Sequence, residues 1–250
     1  MGQIWNDVLQ AILVSLNWFY SWTGDYGVAI ILLTVAMRIL LIPLTIKQTK
    51  SMYEMQEIQP KLKALQEKHK KDKEKLQEET LKFYKENKVN PFGGCLPLLI
   101  QMPVFIALFR VLGTPPKTGA GPNLVNYIST LPAVQQAAAR RFLFLIADIT
   151  KSPQTVFSAG GGFLHVALVV LPYATLVVLF GLSIWLPQQM LTKDKQQQRV
   201  GLYMSVFMLY IGWVSPAGVL LYWVTSSAWQ VAQQAIMLRQ NKTRGQGSAA

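Results

Sequence analysis

Acidic residues are scarce in this chain, and those it has avoid its apolar runs. Only twelve of its 250 residues are aspartate or glutamate, against 24 lysines and arginines. Outside residues 47–90 the carboxylates are Asp7, Asp25, Asp148 and Asp194, all at or beyond the ends of apolar stretches. Carboxylate pairs inside those stretches, the usual apparatus of acid–base catalysis, are therefore absent. Histidine is nearly as rare: His69 falls in a lysine-rich turn and His165 at the edge of an apolar run, neither with a carboxylate nearby in sequence. The single cysteine, Cys95, can form no internal disulfide and has no cysteine neighbour for a metal site, so it reads as small core filler. HExxH, CxxC and GxSxG patterns are missing. Ser183, Ser205 and Ser226 qualify as nucleophiles by residue type alone. Gly160-Gly161-Gly162 is followed by no Lys-Ser or Lys-Thr and reads as a flexible joint, not a phosphate loop. No catalytic residue, metal or cofactor is expected, and the protein reads as a non-enzyme.

What is present comes in blocks. Hydrophobic residues make up 51% of the chain and charged residues only 14%, the composition of an integral membrane protein. The net charge of +12 would suggest nucleic acid in a soluble protein. Twelve of the 24 basic residues, however, lie within residues 47–88, beside an apolar run, where attraction to lipid headgroups and membrane orientation explain them more simply. Direct DNA binding is not expected. No cleavable signal sequence is expected either, because Asp7 stands where a basic region belongs and residues 9–20 lack a small-residue cleavage site.

Taken in order, residues 1–25 carry Ile4, Val8, Leu9, Ile12, Leu13, Leu16 and Phe19 at helical spacing, with Trp5, Trp18, Tyr20 and Trp22 as an aromatic belt. This predicts an amphipathic helix at a membrane interface. Residues 26–46 read as a first span. Residues 47–90 hold Met55, Ile58, Leu62 and Leu65, then a basic tip, then Leu76, Thr80, Phe83 and Tyr84, which predicts a helical hairpin whose first arm is kinked or started by Pro60. Asn90-Pro91-Phe92-Gly93-Gly94 should end it. Residues 95–112 form a short second span with Pro97, Gln101 and Pro103, and residues 113–163 a long loop whose centre, residues 131–149, holds short surface helices with Phe142, Phe144 and Leu145 dipping inward. Residues 164–186, containing Pro172, read as a third span, 187–199 as a polar connection, 200–214 as a fourth span, 219–237 as a fifth, and 238–250 as a basic disordered tail. Placing the basic segments 47–90, 187–199 and 238–250 in the cytoplasm makes the chain an all-α protein with five transmembrane helices, N-terminus outside and C-terminus inside.

One cation breaks the first span. Arg38 lies nine residues before Lys47, or roughly 13 Å of helix, which is close to the midplane of a hydrocarbon core about 30 Å thick. A charge there costs several kcal/mol unless something solvates it. No carboxylate within the spans can pair with it. Water, hydroxyls such as Thr34 one turn away, and carbonyls freed by prolines such as Pro43 remain. The residues thus imply a water-filled, positively charged recess built from short, proline-bearing helices.

Tyr26-Gly27-Val28-Ala29-Ile30-Ile31-Leu32-Leu33-Thr34-Val35 leading to Arg38 and Pro43-Leu44 resembles the first conserved span of the YidC membrane protein insertases, relatives of mitochondrial and chloroplast insertases. Asn90-Pro91 with Gly94-Cys95-Leu96-Pro97, Gln101-Met102-Pro103, Phe105 and Ala107-Leu108 resembles their second, and Pro216-Ala217-Gly218 with Leu221-Tyr222-Trp223 and Gln233-Gln234 their last. Residues 113–163 depart from the pattern by their length. The resemblance implies an insertase and folding chaperone of a bacterial cytoplasmic membrane, working with or without the Sec translocon and needing no nucleotide. It implies a hydrophilic groove closed on the outer side, in which Arg38 receives the polar tail of a nascent membrane protein. Thr34, Gln101, Trp223, Thr225 and Ser226 are candidate groove residues, and Pro43, Pro97, Pro103 and Pro172 candidate kinks. Lys61, Lys63, Lys68, Lys70, Lys71, Lys73 and Lys75 would form a recruitment surface on the hairpin for substrate, ribosome, signal recognition particle and its receptor, or translocon. The competing reading is a small-anion transporter or channel with Arg38 as its anion site. Neither an inverted repeat nor a second intramembrane charge speaks for it.

Overall fold

A computed structural model describes residues 2–70, 72–87, 89, 96–113, 121–143, 145–191 and 195–247. Lys71, the 90–95 turn cluster, Phe144 and Asp194 lie outside these residues. Among the described residues every regular element is helical, and the one β feature is an isolated bridge between Phe142 and Ile146. The chain forms two compact units, Leu40–Val104 and the remainder.

The larger unit opens with α1 (Gly2–Thr23) and α2 (Tyr26–Leu40), between which the chain bends by 120°. The bend has a local cause. Gly24 takes a left-handed φ of +68°, open to glycine without strain, and returns its N–H to the Tyr20 carbonyl at 2.8 Å. Asp25 then caps α2, its Oδ1 accepting from the Val28 N–H at 3.1 Å. Tyr26 locks the corner: its ring stacks on Tyr20 at 4.0 Å and its hydroxyl donates to Asn17 at 2.7 Å.

Beyond the long loop, a continuous helical run passes through α9 (Phe163–His165) and a π turn (Val166–Val170) into α10 (Leu171–Leu191). Pro172, the second residue of α10, explains the π turn. Its missing N–H and its ring both conflict with an ordinary preceding turn, and a wider one relieves the conflict. α10 packs against α11 (Lys195–Val214) and α12 (Ala217–Gly247). Small residues permit the approach: a Cβ on Gly181 would overlap Leu209, and one on Gly212 would overlap Phe180. Helix fills most of the expected polar connection 187–199 and continues through the expected tail to Gly247. The glutamine, lysine and arginine of those segments are polar but good helix formers, so hydropathy changes there while backbone conformation does not.

Apolar side chains cover both faces of these helices. On α10, Tyr173, Leu176, Val177 and Phe180 are buried, while Leu171, Val178, Leu179 and Leu182 are exposed. In water that outer surface would be a large aggregation-prone patch; in lipid it is the expected solvent-facing side. By length and composition, Val166–Pro187 is the one described helix able to cross a bilayer alone, and α1 with α2 passes as a bent pair. α11 and α12 each join a shorter apolar stretch to a polar end.

The smaller unit contains α3 (Ile42–Lys68) and α4 (Lys73–Glu86), packed together as a helical hairpin. Asp72 caps α4 by accepting from the Lys75 N–H at 3.1 Å. The inner seam uses Leu62, which is buried, with Met55, Ile58, Leu65, Leu76 and Phe83 half-buried. Pro60 does not start the first arm. α3 begins at Ile42 with Pro43 in its first turn, where an N–H has no helical partner to lose, and runs through Pro60.

Candidate functional site

Arg38 occupies the last turn of α2 and is half-buried. Its Nε donates to the Ser226 hydroxyl at 3.0 Å, and Nη2 donates to the same oxygen. Ser226 lies on α12 and is buried. Among the described residues no carboxylate pairs with Arg38: the ion pairs there include Arg140 with Asp148 and Lys50 with Glu54, neither reaching it. A serine oxygen is a dipole and supplies no compensating charge. The guanidinium is held in direction by Ser226 and keeps its full positive charge.

The other sequence candidates divide by their surroundings. Thr34, one turn before Arg38 on α2, is buried and donates its hydroxyl proton to the Ile30 carbonyl at 2.6 Å, leaving only acceptor capacity for anything beside it. On α12, Tyr222 and Trp223 sit four and three residues before Ser226 and so share its face. Tyr222, buried, lies close enough to Arg38 to interact with it electrostatically. It was not among the sequence candidates, although its spacing to Ser226 was the available signal. Trp223 is wedged edge-to-face between Phe105 at 4.9 Å and Phe180 at 5.2 Å, an arrangement that ties α5 (Leu96–Leu112), α10 and α12 together. Thr225 is half-buried on α12, and Gln101 is half-buried on the part of α5 that belongs to the smaller unit. Farther along α12, Trp229 Nε1 and Gln234 Oε1 are buried without a hydrogen-bond partner among the described residues.

Of the candidate kinks, Pro43 is in the first turn of α3, Pro97 is the second residue of α5, Pro103 is inside α5, and Pro172 follows the π turn. Of the hairpin lysines, Lys61, Lys63 and Lys68 lie on α3, Lys73 and Lys75 on α4, and Lys70 in the turn between; all are exposed.

The long loop holds more than the one or two short surface helices expected over 131–149. It contains α6 (Leu124–Ser129), α7 (Ala133–Arg140) and α8 (Pro153–Ser158). Buried Asn123 joins two helix ends: its Nδ2 donates to the carbonyls of Arg110 and Gly113 at 2.8 and 2.9 Å, and its Oδ1 accepts from Val125 and Asn126 at the start of α6. Tyr173 clamps the other side, its hydroxyl accepting the Asp148 N–H at 2.9 Å and donating to the Asp148 carbonyl at 2.8 Å. The loop's backbone also closes the start of α12, where the Ala217 and Gly218 N–H groups donate to the carbonyls of Lys151 and Ile149 at 3.0 and 2.8 Å. Gly218 is needed there because a Cβ would press on Ile30 at 3.3 Å and on the Ile149 carbonyl at 3.4 Å. Phe142 is buried over Gly27, Asp25 Oδ2 accepts the Leu143 N–H at 2.6 Å, and Leu145 is exposed.

Comparison with known proteins gives one consistent result. The family model described as 60Kd inner membrane protein matches residues 18–244. A membrane protein insertase YidC of Caldanaerobacter subterraneus subsp. tengcongensis is 36% identical over 228 residues, covering 91% of this chain and 92% of the relative. One of Fusobacterium nucleatum subsp. nucleatum is 34% identical over 242 residues, covering 96% and 98%. That of Pelobacter propionicus is 34% identical across 91% of this chain, which spans only 38% of the longer relative. A crystal structure described as an active YidC insertase with the first transmembrane domain resolved superposes with a TM-score of 0.61 at 27% identity, covering 93% of this chain and 46% of that one.

Proposed function

The chain belongs to the 60Kd inner membrane protein family, that of the bacterial YidC membrane protein insertases, and from that premise we propose that it inserts nascent proteins by receiving their polar tails at Arg38. It is a multi-pass protein of the bacterial cytoplasmic membrane. One observation carries the mechanism: a half-buried guanidinium held by a neutral hydroxyl, with no carboxylate beside it among the described residues. A charge so placed favours an aqueous recess, and the recess favours an anionic visitor. An acidic or polar tail would dwell beside Arg38 while the substrate's apolar segment leaves along lipid-exposed helices, driven by burial at about 25 cal/mol per Å². In this reading five spans run with the N-terminus outside, and Thr34, Tyr222, Thr225 and Ser226 border the recess. The basic hairpin of α3 and α4 meets substrate, ribosome, targeting particle or translocon on the cytoplasmic side. No nucleotide or bond-making step is required.

Cysteines placed one at a time at Thr34, Val35, Thr225 and Ser227 test the recess with a water-soluble thiol reagent added from each side of the membrane. Labelling from the cytoplasm alone is expected. Labelling from both sides would replace the insertase groove with an anion pore. Deleting residues 61–82 while membrane integration persists should lower insertion yield; full activity would reduce the hairpin to a solvated spacer.

A further inference from the structure

Beside the loop that closes the start of α12 lies a cavity of about 660 Å³. Val156, Val169, Tyr173 and Val214 give it an apolar floor, and Lys151 and Gln154 a polar rim. We propose that it binds the phosphodiester of a glycerophospholipid headgroup, with Lys151 and Gln154 on the phosphate and Val169 and Val214 against the glycerol and first acyl carbons.

Charge, donor supply and position agree on this ligand. Asp148, the carboxylate lining the cavity, is occupied: Arg140 approaches it at 4.0 Å, and the Thr150 hydroxyl donates to it at 2.5 Å. Lys151 is exposed and has no ion-pair partner among the described residues. Its backbone is fixed from both sides, the N–H donating to the Asp148 carbonyl at 3.2 Å and the carbonyl accepting from Ala217 at 3.0 Å. The side chain therefore leaves from an anchored point. The protons of the Ser152 and Thr155 hydroxyls are also spent within the loop. What is left to offer is one cation and one amide, enough for a singly charged phosphodiester and too little for a sugar with many hydroxyls. The cavity adjoins the first turns of the helix best able to cross a membrane, where Leu168 is 71% and Leu171 60% exposed. A lipid reaches this place with apolar surface to bury, whereas a free phosphate would rely on a single lysine. The inference rests on the membrane placement of α10 and does not depend on Arg38's role.

The test is native mass spectrometry of the whole chain in mild detergent, titrated with a phosphatidylglycerol of defined chain length. One lipid is expected to be retained more tightly than the rest. Lys151→Glu should weaken it by about fivefold or more, the effect of one basic residue near an anionic headgroup. Val214→Trp, which fills the floor, should do the same, Lys151→Arg should retain binding, and Arg141→Glu, off the cavity, should leave it unchanged. Lys151→Gln and Val214→Trp keep the test decisive if the charge reversal fails to fold. Equal weakening by Arg141→Glu would mean diffuse surface electrostatics, and displacement by soluble glycerol phosphate a free-phosphate site. Either result, or full retention in the Lys151 and Val214 variants, overturns the proposal. Insertion activity is not read, so failure of the insertase mechanism would show separately.

Discussion

Arg38→Ala, combined with neutralisation of a substrate's acidic tail, measures how much counter-charge the substrate supplies. Two unit charges about 4 Å apart attract by about 1 kcal/mol in water and about 4 kcal/mol at the effective dielectric of a protein surface. Arg38 is half-buried, between those limits. The coupling between Arg38 and one tail carboxylate should accordingly fall between about 1 and 4 kcal/mol, or about fivefold to a thousandfold in the balance of inserted against rejected chains. The assay is protease protection of the translocated tail in cells depleted of their own insertase, run as a double-mutant cycle over Arg38 and the carboxylate. Removing the arginine also strands the buried Ser226 oxygen, at about 1–3 kcal/mol of stability, so folding must be monitored in parallel. Ser226→Ala separates the two effects: it removes the hydrogen-bond anchor and keeps the charge, and should lower thermal stability while preserving most of the coupling. Arg38→Lys should keep part of it, because the charge remains and the fork is lost. A coupling under about 0.5 kcal/mol, the ordinary scatter of independent sites, across several acidic-tailed substrates would refute the idea that Arg38 awaits a carboxylate.

Three further outcomes follow from the packing. Asn123→Ala removes both the cap of α6 and the bonds to Arg110 and Gly113, and should cost about 2–4 kcal/mol, seen as a lower midpoint in thermal denaturation and faster proteolysis near residue 123. Tyr173→Phe leaves the buried N–H of Asp148 without its partner, while the Asp148 carbonyl keeps the Lys151 N–H. It should cost about 1–3 kcal/mol and raise amide hydrogen exchange in the 147–151 segment first. Gly27→Val drives a side chain into the Phe142 ring and should destabilise by about 1–3 kcal/mol; pairing it with Phe142→Ala should recover part of the loss, and no recovery would mean the strain lies elsewhere.

The anomaly at Arg38 was legible because it is a matter of composition: an ionised group within an apolar run, and no carboxylate in the runs to meet it. The bend after α1 was legible too, since Thr23-Gly24-Asp25 contains both a residue suited to a left-handed φ and a capping side chain. The identity of the group that meets Arg38 was less so. Ser226 stood among several hydroxyls and amides, and only a contact between residues 188 positions apart singled it out. Trp223 shows the converse, a candidate groove residue whose ring is engaged by two phenylalanines from other helices.

Hydropathy and charge run along the chain, so the sequence alone marks a helical membrane protein, a cation, Arg38, deep in an apolar run, and a basic helical hairpin. It did not determine helix ends, because lysine, glutamine and arginine continue a helix as readily as leucine does; α10, α11 and α12 extend through segments that polarity alone would make loops. Nor did it reveal the order within the long loop. Asn123, Tyr173 and Gly218 look ordinary in sequence, and their roles exist only where a carbonyl from another element comes within hydrogen-bond or van der Waals reach. Directional, short-range interactions are settled by the tertiary structure; the partition of side chains between lipid and water was already settled by the sequence. The guanidinium of Arg38 belongs to both, placed by its sequence in an apolar helix and aimed by its fold at a serine that leaves its charge unanswered.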